Sequence, residues 1–241
     1  MKKTATQPEP PLILAIETAT MCGSVALISR DRCLAEYSVD TATTHSRRLI
    51  RQVDRVMQAT GTDWQRLDGI AVSLGPGSFT GLRIGLSTAK GLAMAADRPL
   101  LGVPTLDGLA RQIVAPPGSL VCALLDARKK EVYGAFYRCN REGIPIKTGK
   151  DLVLKPEKLA ELIDEPVLLV GDGGPAYGDL FRNTLGGLAI FAPVRTFSPR
   201  AATIGLLGAE MFAANDFVDP ADVVPIYVRP SEAELTIGKK S

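Results

Sequence analysis

Several residue types that carry common chemistries are scarce in this sequence. Only 5% of its 241 residues are aromatic, which argues against a surface that stacks single-stranded nucleic acid. A single histidine, His45, and four cysteines without a CxxC pair exclude a Cys/His zinc site. The cysteines (Cys22, Cys33, Cys122 and Cys139) lie in apolar, strand-like stretches. We interpret them as small buried residues in a protein of a reducing compartment.

A strong net charge and a long apolar run are also missing. The 28 basic and 26 acidic residues leave a formal charge of +2, which disfavours a strongly basic nucleic-acid module but not a local basic patch. No apolar run approaches the roughly 20 residues of a membrane helix, and residues 1–11 lack the apolar core of a signal peptide. We therefore expect a cytoplasmic protein with no membrane contact and a disordered tail over 1–11.

The hydrophobic pattern predicts an N-terminal lobe over 12–114, made of a mixed sheet and helices. Continuous or alternating apolar runs indicate strands, and apolar positions 49, 50, 53, 56 and 57 indicate an amphipathic helix. Thr43 or Thr44 can cap that helix and Gly61 can end it. The predicted strands are 12–16, 24–28, 33–39, 69–74 and 99–103, and the predicted helices are 45–60, 80–96 and 106–114.

A smaller C-terminal lobe is predicted over 119–230, before a loose tail at 231–241. Its opening repeats the first lobe, because Glu17 and Asp126 each end an apolar strand five residues after an aliphatic residue. We take this as evidence for a duplicated lobe and an α/β fold. Helix 199–215, with Pro199 at its first position, is a candidate to pack back on the first lobe. The other predicted elements are strands 120–125, 131–137 and 166–170, the glycine turn 171–174, and helices 156–163 and 177–185.

Two lobes that each place a carboxylate at a strand end indicate a nucleotide cleft, in which the acid holds Mg²⁺ through water. The alternative is that both acids are ordinary polar strand ends. The next glycine after Glu17 is six residues away, which counts against close approach of a phosphate. The candidate cleft residues, for a site that we regard as vestigial, are Glu17, Thr18, Asp126, Gly171 and Gly173.

The loop over 75–81 lacks the terminal Gly-Lys-Ser/Thr of a Walker loop, so we favour a strand-to-helix turn over an anion site. Ser78 lacks the Gly-x-Ser-x-Gly context of a hydrolase nucleophile, and His45 is the only imidazole. His45 itself is interpreted as a capping or surface residue rather than a metal ligand. The sequence predicts no catalytic residue and no metal site.

Helix 80–96 is apolar nearly all round, since its only charges are Arg83 and Lys90. Its interior glycines each cost about 1 kcal/mol against alanine, and small side chains allow a second backbone to approach. We therefore predict a partner interface, and expect Gly85→Glu to break the complex without unfolding the monomer. The alternative is a helix sandwiched inside the monomer, and which face meets a partner stays open. The candidate interface residues are Leu49, Val53, Gly81, Leu82, Gly85, Thr88, Ala89 and Leu92.

Arg47, Arg51 and Arg55 lie four residues apart on the first helix and share one face. Such a stripe is typical of a solvated surface. It can also meet an acidic partner or RNA phosphates. The sequence leaves this choice open.

Beyond these patterns, the sequence resembles the TsaB family, also known as YeaZ. The motif over 75–85, Gly-Pro-Gly-Ser-Phe-Thr-Gly-Leu-Arg-Ile-Gly, is highly specific, and shorter matches follow the same order over about residues 12–230. Where the family commonly has Asp-Thr-Ser/Thr, this chain has Glu17-Thr18-Ala19, which puts independent ATP hydrolysis in doubt. The shorter matches are 14–18, 24–27, 45–46, 89–93, 102–103, 126–128, 131–133, 171–173 and Pro225-x-Tyr227-x-Arg229.

The resemblance implies two RNase H-like lobes of the actin/Hsp70/sugar-kinase superfold, with mixed sheets flanked by helices. It implies a non-catalytic subunit that binds and activates TsaD, which transfers a threonylcarbamoyl group to the adenosine next to the tRNA anticodon. TsaC supplies the donor, and TsaE, a small ATPase, joins the assembly. The family's partner surface corresponds to helices 45–60 and 80–96, and it also supports a homodimer when the partner is absent.

The same resemblance implies no resident cofactor, with ATP or ADP only at a composite site, and indirect or weak tRNA contact. The alternatives are a stand-alone kinase or ATPase of this superfold and, with no paired metal-binding histidines, a metallopeptidase.

Overall fold

The chain forms two α/β lobes, and the computed structural model describes residues 10–41, 45–193 and 197–228. The tail predicted at 231–241, most of the tail predicted at 1–11, and the candidate caps Thr43 and Thr44 lie outside these ranges. Each lobe is built on a mixed sheet flanked by helices, which confirms the predicted fold class. Within the described ranges no helix combines the length and the apolar character needed to cross a bilayer.

The N-terminal lobe contains a five-stranded sheet in the order β3-β2-β1-β4-β5. The pairs β1–β2 and β2–β3 are antiparallel, whereas β4 lies parallel to both β1 and β5. Its elements are β1 (Leu12–Glu17), β2 (Cys22–Ser29), β3 (Arg32–Asp40), α1 (His45–Thr60), β4 (Gly69–Gly75), α2 (Phe79–Ala96), β5 (Leu100–Pro104) and α3 (Thr105–Ala110), with a short 3₁₀ turn at Trp64–Arg66.

The C-terminal lobe repeats this plan around a sheet in the order β11-β10-β6-β7-β8, and β9 also pairs with β7. As in the first lobe, its first two strands form an antiparallel pair and the next long strand lies parallel to the first. Its elements are β6 (Leu120–Arg128), β7 (Glu131–Cys139), β8 (Pro145–Lys147), β9 (Leu152–Leu154), α4 (Pro156–Ala160), β10 (Val167–Val170), α5 (Gly173–Ala176), α6 (Gly178–Leu185), a 3₁₀ turn (Gly186–Leu188), β11 (Ala189–Phe191) and α7 (Ala201–Ala213).

Strand β1 is buried on both faces of its sheet, which explains its uninterrupted apolar sequence. Leu14 and Ile16 point toward α1 and α2, whereas Ile13 and Ala15 point toward α7. Gly205 of α7 lies so close to the sheet that an added Cβ would overlap the side chain of Ile28. The N-terminal sheet is therefore a central layer between helices.

Two helices pack on the sheet of the lobe to which they do not belong by sequence order. Helix α3 follows the N-terminal sheet along the chain, but its Leu106 and Leu109 pack with Val121 and Ala123 of the C-terminal sheet. Helix α7 comes from the end of the chain and covers the N-terminal sheet. Because α3 and α7 also contact each other, the two lobes share a continuous apolar connection.

The predicted start of α7 is wrong. The helix begins at Ala201 after the N-cap Arg200, so Pro199 is not its first residue. Its first amides are satisfied from the other lobe: the Ala201 N–H donates to Ser24 Oγ (2.8 Å) and the Ala202 N–H donates to Glu36 Oε1 (3.0 Å). Capping by residues so distant in sequence cannot be read from the local pattern.

Other differences are smaller. Helices α3 and α4 are shorter than predicted because their last residues, such as Ile113 and Ile163, bond three residues back and form tighter turns. The glycine turn predicted at 171–174 ends in the one-turn helix α5. Strands β8, β9 and β11 are new, since three residues are too few to show alternation.

Candidate functional site

The end of β1 is tied to α2 by Thr18. The buried Thr18 hydroxyl donates to the Gly81 carbonyl at 2.8 Å. A Cβ on Gly81 would overlap the Thr18 carbonyl oxygen, and a Cβ on Gly85 would overlap Thr18 Oγ1. Both glycines therefore let α2 approach the strand end within the monomer. Thr18 thus has a structural role and does not line the cleft between the lobes.

This geometry corrects the predicted interface stripe. The side chains or backbone of six candidates are buried in the monomer, and only Thr88 and Leu92 are partly exposed. The glycines at 81 and 85 accommodate Thr18, so the structure favours destabilisation of the monomer by Gly85→Glu, contrary to the expectation from the sequence. The six buried candidates are Leu49, Val53, Gly81, Leu82, Gly85 and Ala89.

The opposite side of α2 is open, and we call Arg83, Ser87, Gly91, Met94 and Ala95 the outer α2 face. A Cβ on Gly91 would meet no atom within 4 Å, and Met94 is 74% exposed. Glycine in a helix interior costs about 1 kcal/mol against alanine. Among the described residues no contact requires glycine at 91, and the absence of a side chain there would allow a second helix to approach closely.

The C-terminal segment extends this surface at the start of α2. The Tyr227 ring lies 5.1 Å from the Phe79 ring, and both side chains are a little more than one-third exposed. The Arg83 guanidinium stacks over Phe79 (3.8 Å to the centroid) and its Nε donates to the Tyr227 hydroxyl (3.0 Å). Ile226 anchors the segment by donating its N–H to the Leu74 carbonyl (2.7 Å).

Glu17 is completely buried and does not line the cleft. Its Oε1 accepts from the Ala19 N–H at 2.5 Å, whereas its Oε2 has no hydrogen-bond partner in the part of the chain that the structure describes. Burial raises the pKa of Glu17 to about 7, although the hydrogen bond from the Ala19 N–H acts in the opposite direction. A carboxyl in this position cannot bind a water-coordinated Mg²⁺ in the cleft.

A cleft of 590 Å³ does lie between the lobes. Asp126 lines it, and its Oδ2 pairs with Arg128 at 3.1 Å. The Asp126 N–H donates to Asp172 Oδ1 (2.9 Å), and burial raises the pKa of Asp172. Together with Asp40 these carboxylates outnumber Arg128, the one cation among the described residues that line the cleft. The cleft is therefore unfavourable for phosphates unless further cations are supplied.

The remaining cleft candidates, Gly171 and Gly173, do not line the cavity. Gly171 has a φ of 115°, and an added Cβ would overlap the Leu124 carbonyl oxygen. Gly173 contacts Leu124 as well. These glycines allow the turn after β10 to pack on β6, so Asp126 is the only one of the five predicted cleft residues that faces the cleft.

His45 connects α1 to the turn after β1. Its Nε2 donates to the Thr20 carbonyl (2.8 Å), and its Nδ1 accepts from Arg48 Nη2 (3.1 Å). Burial lowers the pKa of His45, so the ring is held neutral in a structural position. Among the described residues, no three His, Cys, Asp or Glu side chains cluster as metal ligands do.

The four cysteines are free, but the prediction that all are buried is wrong. Cys122 and Cys139 are buried, Cys22 is half-buried, and Cys33 is exposed. Cys33 lies on β3, which is the edge strand of the N-terminal sheet.

The three arginines of the predicted stripe are exposed along a groove of 540 Å³ between α1 and β3. Arg47 and Arg51 have no ion-pair partner within the described ranges, whereas the Arg55 guanidinium stacks on Tyr37 at 4.7 Å and donates to its hydroxyl. The buried Arg48 forms part of the same groove.

Comparisons with known proteins match this chain to a TsaD family model and to curated TsaB proteins. A family model for TsaD, tRNA N6-adenosine threonylcarbamoyltransferase, matches residues 39–234. The chain is 34% identical to the tRNA threonylcarbamoyladenosine biosynthesis protein TsaB of Escherichia coli K12, over 92% of this chain and 96% of the relative. It is 32% identical to TsaB of Bacillus subtilis 168, with the same coverage.

The structure is similar to that of YeaZ from Pseudomonas aeruginosa, with a TM-score of 0.77 and 29% identity. The match covers 90% of this chain and all of the YeaZ chain. Sequence and structure comparisons therefore extend over both lobes, not over a single shared motif.

Proposed function

This chain belongs to the TsaB (YeaZ) family of tRNA threonylcarbamoyladenosine biosynthesis proteins, and we propose that it acts there as a non-catalytic subunit that binds and activates TsaD. In this proposal TsaD performs the transfer to the adenosine next to the anticodon. The present chain contributes a surface that assembles the active complex.

The observation that carries the proposal is the outer α2 face. It combines Gly91, which is open to solvent at a cost to helix stability, with the exposed Met94 and the small side chains of Ser87 and Ala95. A surface of this kind permits close helix-to-helix approach and buries an exposed apolar side chain. Phe79 and Tyr227 extend the same surface with two aromatic rings, a residue type enriched in protein interfaces.

The non-catalytic part of the proposal is supported by the position of Glu17. Glu17, the acid that would organise Mg²⁺ in a stand-alone kinase or ATPase, is completely buried at the end of β1. Asp126 lines the cleft but is paired with Arg128. We therefore propose that the chain has no resident cofactor, and that ATP or ADP binds only where a partner completes the site.

The proposal extends to the other members of the assembly. We propose that TsaE joins the complex with TsaD, and that two copies of this chain associate through the outer α2 face when TsaD is absent. The same face cannot serve both uses at once, so TsaD is expected to dissociate the homodimer.

The direct test is reconstitution by omission. TsaC, TsaD, TsaE, tRNA, threonine, bicarbonate and ATP are combined with and without this chain, and modified adenosine in the tRNA is measured. We expect product to depend on the chain, and the chain alone to hydrolyse no ATP. Equal product without the chain would contradict the proposal, and ATP turnover by the isolated chain would favour the stand-alone enzyme instead.

The interface is tested with a pair of matched glycine substitutions. Gly91→Glu places a charge on the outer α2 face, and Gly149→Glu places the same charge in an open loop of the other lobe, where an added Cβ also meets no atom. Binding to TsaD is measured by calorimetry and homodimerisation by sedimentation. We expect Gly91→Glu to weaken both and Gly149→Glu to change neither. Equal binding by the two variants would place the interface elsewhere.

A further inference from the structure

The groove between α1 and β3, which we call the arginine groove, concentrates positive charge. Arg47, Arg51 and Arg55 lie along its rim at successive turns of α1, and Arg48 forms its floor. No Asp or Glu is among the described residues that line it. Tyr37 and Val39 of β3 face the groove, as does Thr41, which follows the end of the strand.

The acidic residues of β3 point away from the groove because side chains alternate along a strand. Glu36 is bound to Arg200 and to the start of α7, and Asp40 lines the cleft between the lobes. The strand therefore separates its negative side chains from the arginines. This separation leaves the positive potential of the groove uncancelled by its nearest strand.

The floor of the groove holds a buried guanidinium, that of Arg48. Arg48 is only 9% exposed, and its terminal nitrogens donate to Thr41 Oγ1 (2.9 Å) and to the Met21 carbonyl (2.7 Å), while its buried Nε has no hydrogen-bond partner among the described residues. A buried guanidinium without a carboxylate partner favours an anion in the adjoining groove.

The rim is partly pre-organised for a polymer of regularly spaced charges. Consecutive rim arginines are separated by four residues, a rise of about 6 Å along the helix. Arg55 is held by stacking on Tyr37, while Arg47 and Arg51 have no hydrogen-bond or ion-pair partner in the described parts of the chain. Guanidinium groups bind phosphate oxygens through paired N–H donors, and a row of them suits a phosphodiester backbone.

We propose that the arginine groove binds the phosphodiester backbone of tRNA. This inference rests on the proposed function, which makes tRNA the substrate of the assembly, and it replaces the weak or indirect RNA contact expected from the sequence. Helix α1 covers β2 and β3 and packs beside α2, so the groove lies on the side of α1 away from the outer α2 face. A partner on α2 would leave the groove accessible.

The test compares two variants of the full chain in complex with TsaD. Arg47→Ala/Arg51→Ala removes two exposed rim charges, and Arg141→Ala removes an exposed charge from the other lobe. Binding of an unmodified tRNA transcript is measured by fluorescence anisotropy at several salt concentrations. We expect the double variant to lose affinity about tenfold and the slope of log K against log salt to shrink by about 1.5. Arg141→Ala should match the wild type.

The same complexes are assayed for tRNA modification. The double variant should raise KM for tRNA and leave kcat near the wild-type value. Unchanged tRNA affinity with weaker TsaD or TsaE binding would show that the groove accepts acidic protein side chains, and it would overturn the proposal. Unchanged binding of every component would overturn it as well. Because tRNA binding can be measured even if omission of the chain does not affect modification, failure of the groove and failure of the proposed function are distinguishable.

Discussion

Replacing Glu17 with glutamine should remove a pH-dependent loss of stability. The Glu17 side chain is fully buried, and burial raises its folded-state pKa from 4.5 to about 7. Between these two values the folded protein keeps a proton that the unfolded chain has released. The free energy of unfolding therefore falls as the pH rises through this window. The contribution of Glu17 to the free energy of unfolding is therefore fully present below pH 4.5. It is almost completely lost once the pH exceeds 7.

The size of the effect follows from linkage. The rise of the Glu17 pKa from 4.5 to about 7 corresponds to a loss of about 2.5 kcal/mol in the free energy of unfolding between pH 5 and pH 8. Glutamine keeps the size of the side chain and an oxygen that can accept from the Ala19 N–H, but it does not titrate. The advantage of Glu17→Gln over the wild type should therefore grow by about 2.5 kcal/mol from pH 5 to pH 8.

Urea unfolding at both pH values measures this difference, with Glu165→Gln as the control. Glu165 is an exposed carboxylate whose pKa is lowered by its hydrogen bond to Arg138, so its replacement should give no gain at pH 8. A difference between Glu17→Gln and the wild type that is the same at pH 5 and pH 8 would refute the reasoning.

Three further changes test the packing and the partner surface. Gly85→Ala should destabilise the protein by about 2 kcal/mol in thermal unfolding, because its Cβ would overlap Thr18 Oγ1, and an unchanged Tm would contradict the Thr18 contact. Gly91→Ala on the same helix should stabilise it by about 0.5–1 kcal/mol, since the added Cβ enters open space; a loss of stability would show a hidden contact. Gly205→Ala should cost about 1–3 kcal/mol by urea unfolding because α7 must move away from Ile28, and a neutral result would mean that this packing is loose.

The sequence was sufficient to predict elements whose signal is local. The uninterrupted apolar run of β1 matches a strand buried on both faces, and the periodicity of α1 placed that helix at His45–Thr60. Gly61, predicted to end α1, follows it with a φ of 59°. In each case the neighbours in sequence are also the neighbours that determine the structure.

The orientation of α2 could not be predicted because its pattern has almost no polar side. The glycines at 81, 85 and 91 look equivalent in sequence. In the structure Gly81 and Gly85 pack against Thr18, whereas a Cβ on Gly91 would meet no described atom within 4 Å. Only the position of β1 distinguishes them, and that position is a tertiary property. Met94, in the last turn of α2, marks the exposed side of the helix in the structure. The sequence alone does not distinguish an exposed methionine from one in the core.

The candidate cleft shows the same limit. Glu17 ends β1 as predicted, whereas Asp126 lies two residues before the end of β6. The sequence also does not reveal that the Glu17 carboxyl is fully buried while Asp126 lines the cleft. The start of α7 depends on Ser24 and Glu36, more than 160 residues away in the chain. Such contacts arise only after the two lobes have come together.

The most direct test of the account is whether TsaD activation depends on the outer α2 face. The rate of tRNA modification is measured as this chain is titrated into a mixture that contains TsaC, TsaD and TsaE. The wild type and Gly149→Glu should give the same saturating curve, whereas Gly91→Glu should activate only at much higher concentration or not at all. An identical curve for Gly91→Glu would contradict the account, because TsaD would then be activated without the surface that the fold leaves open.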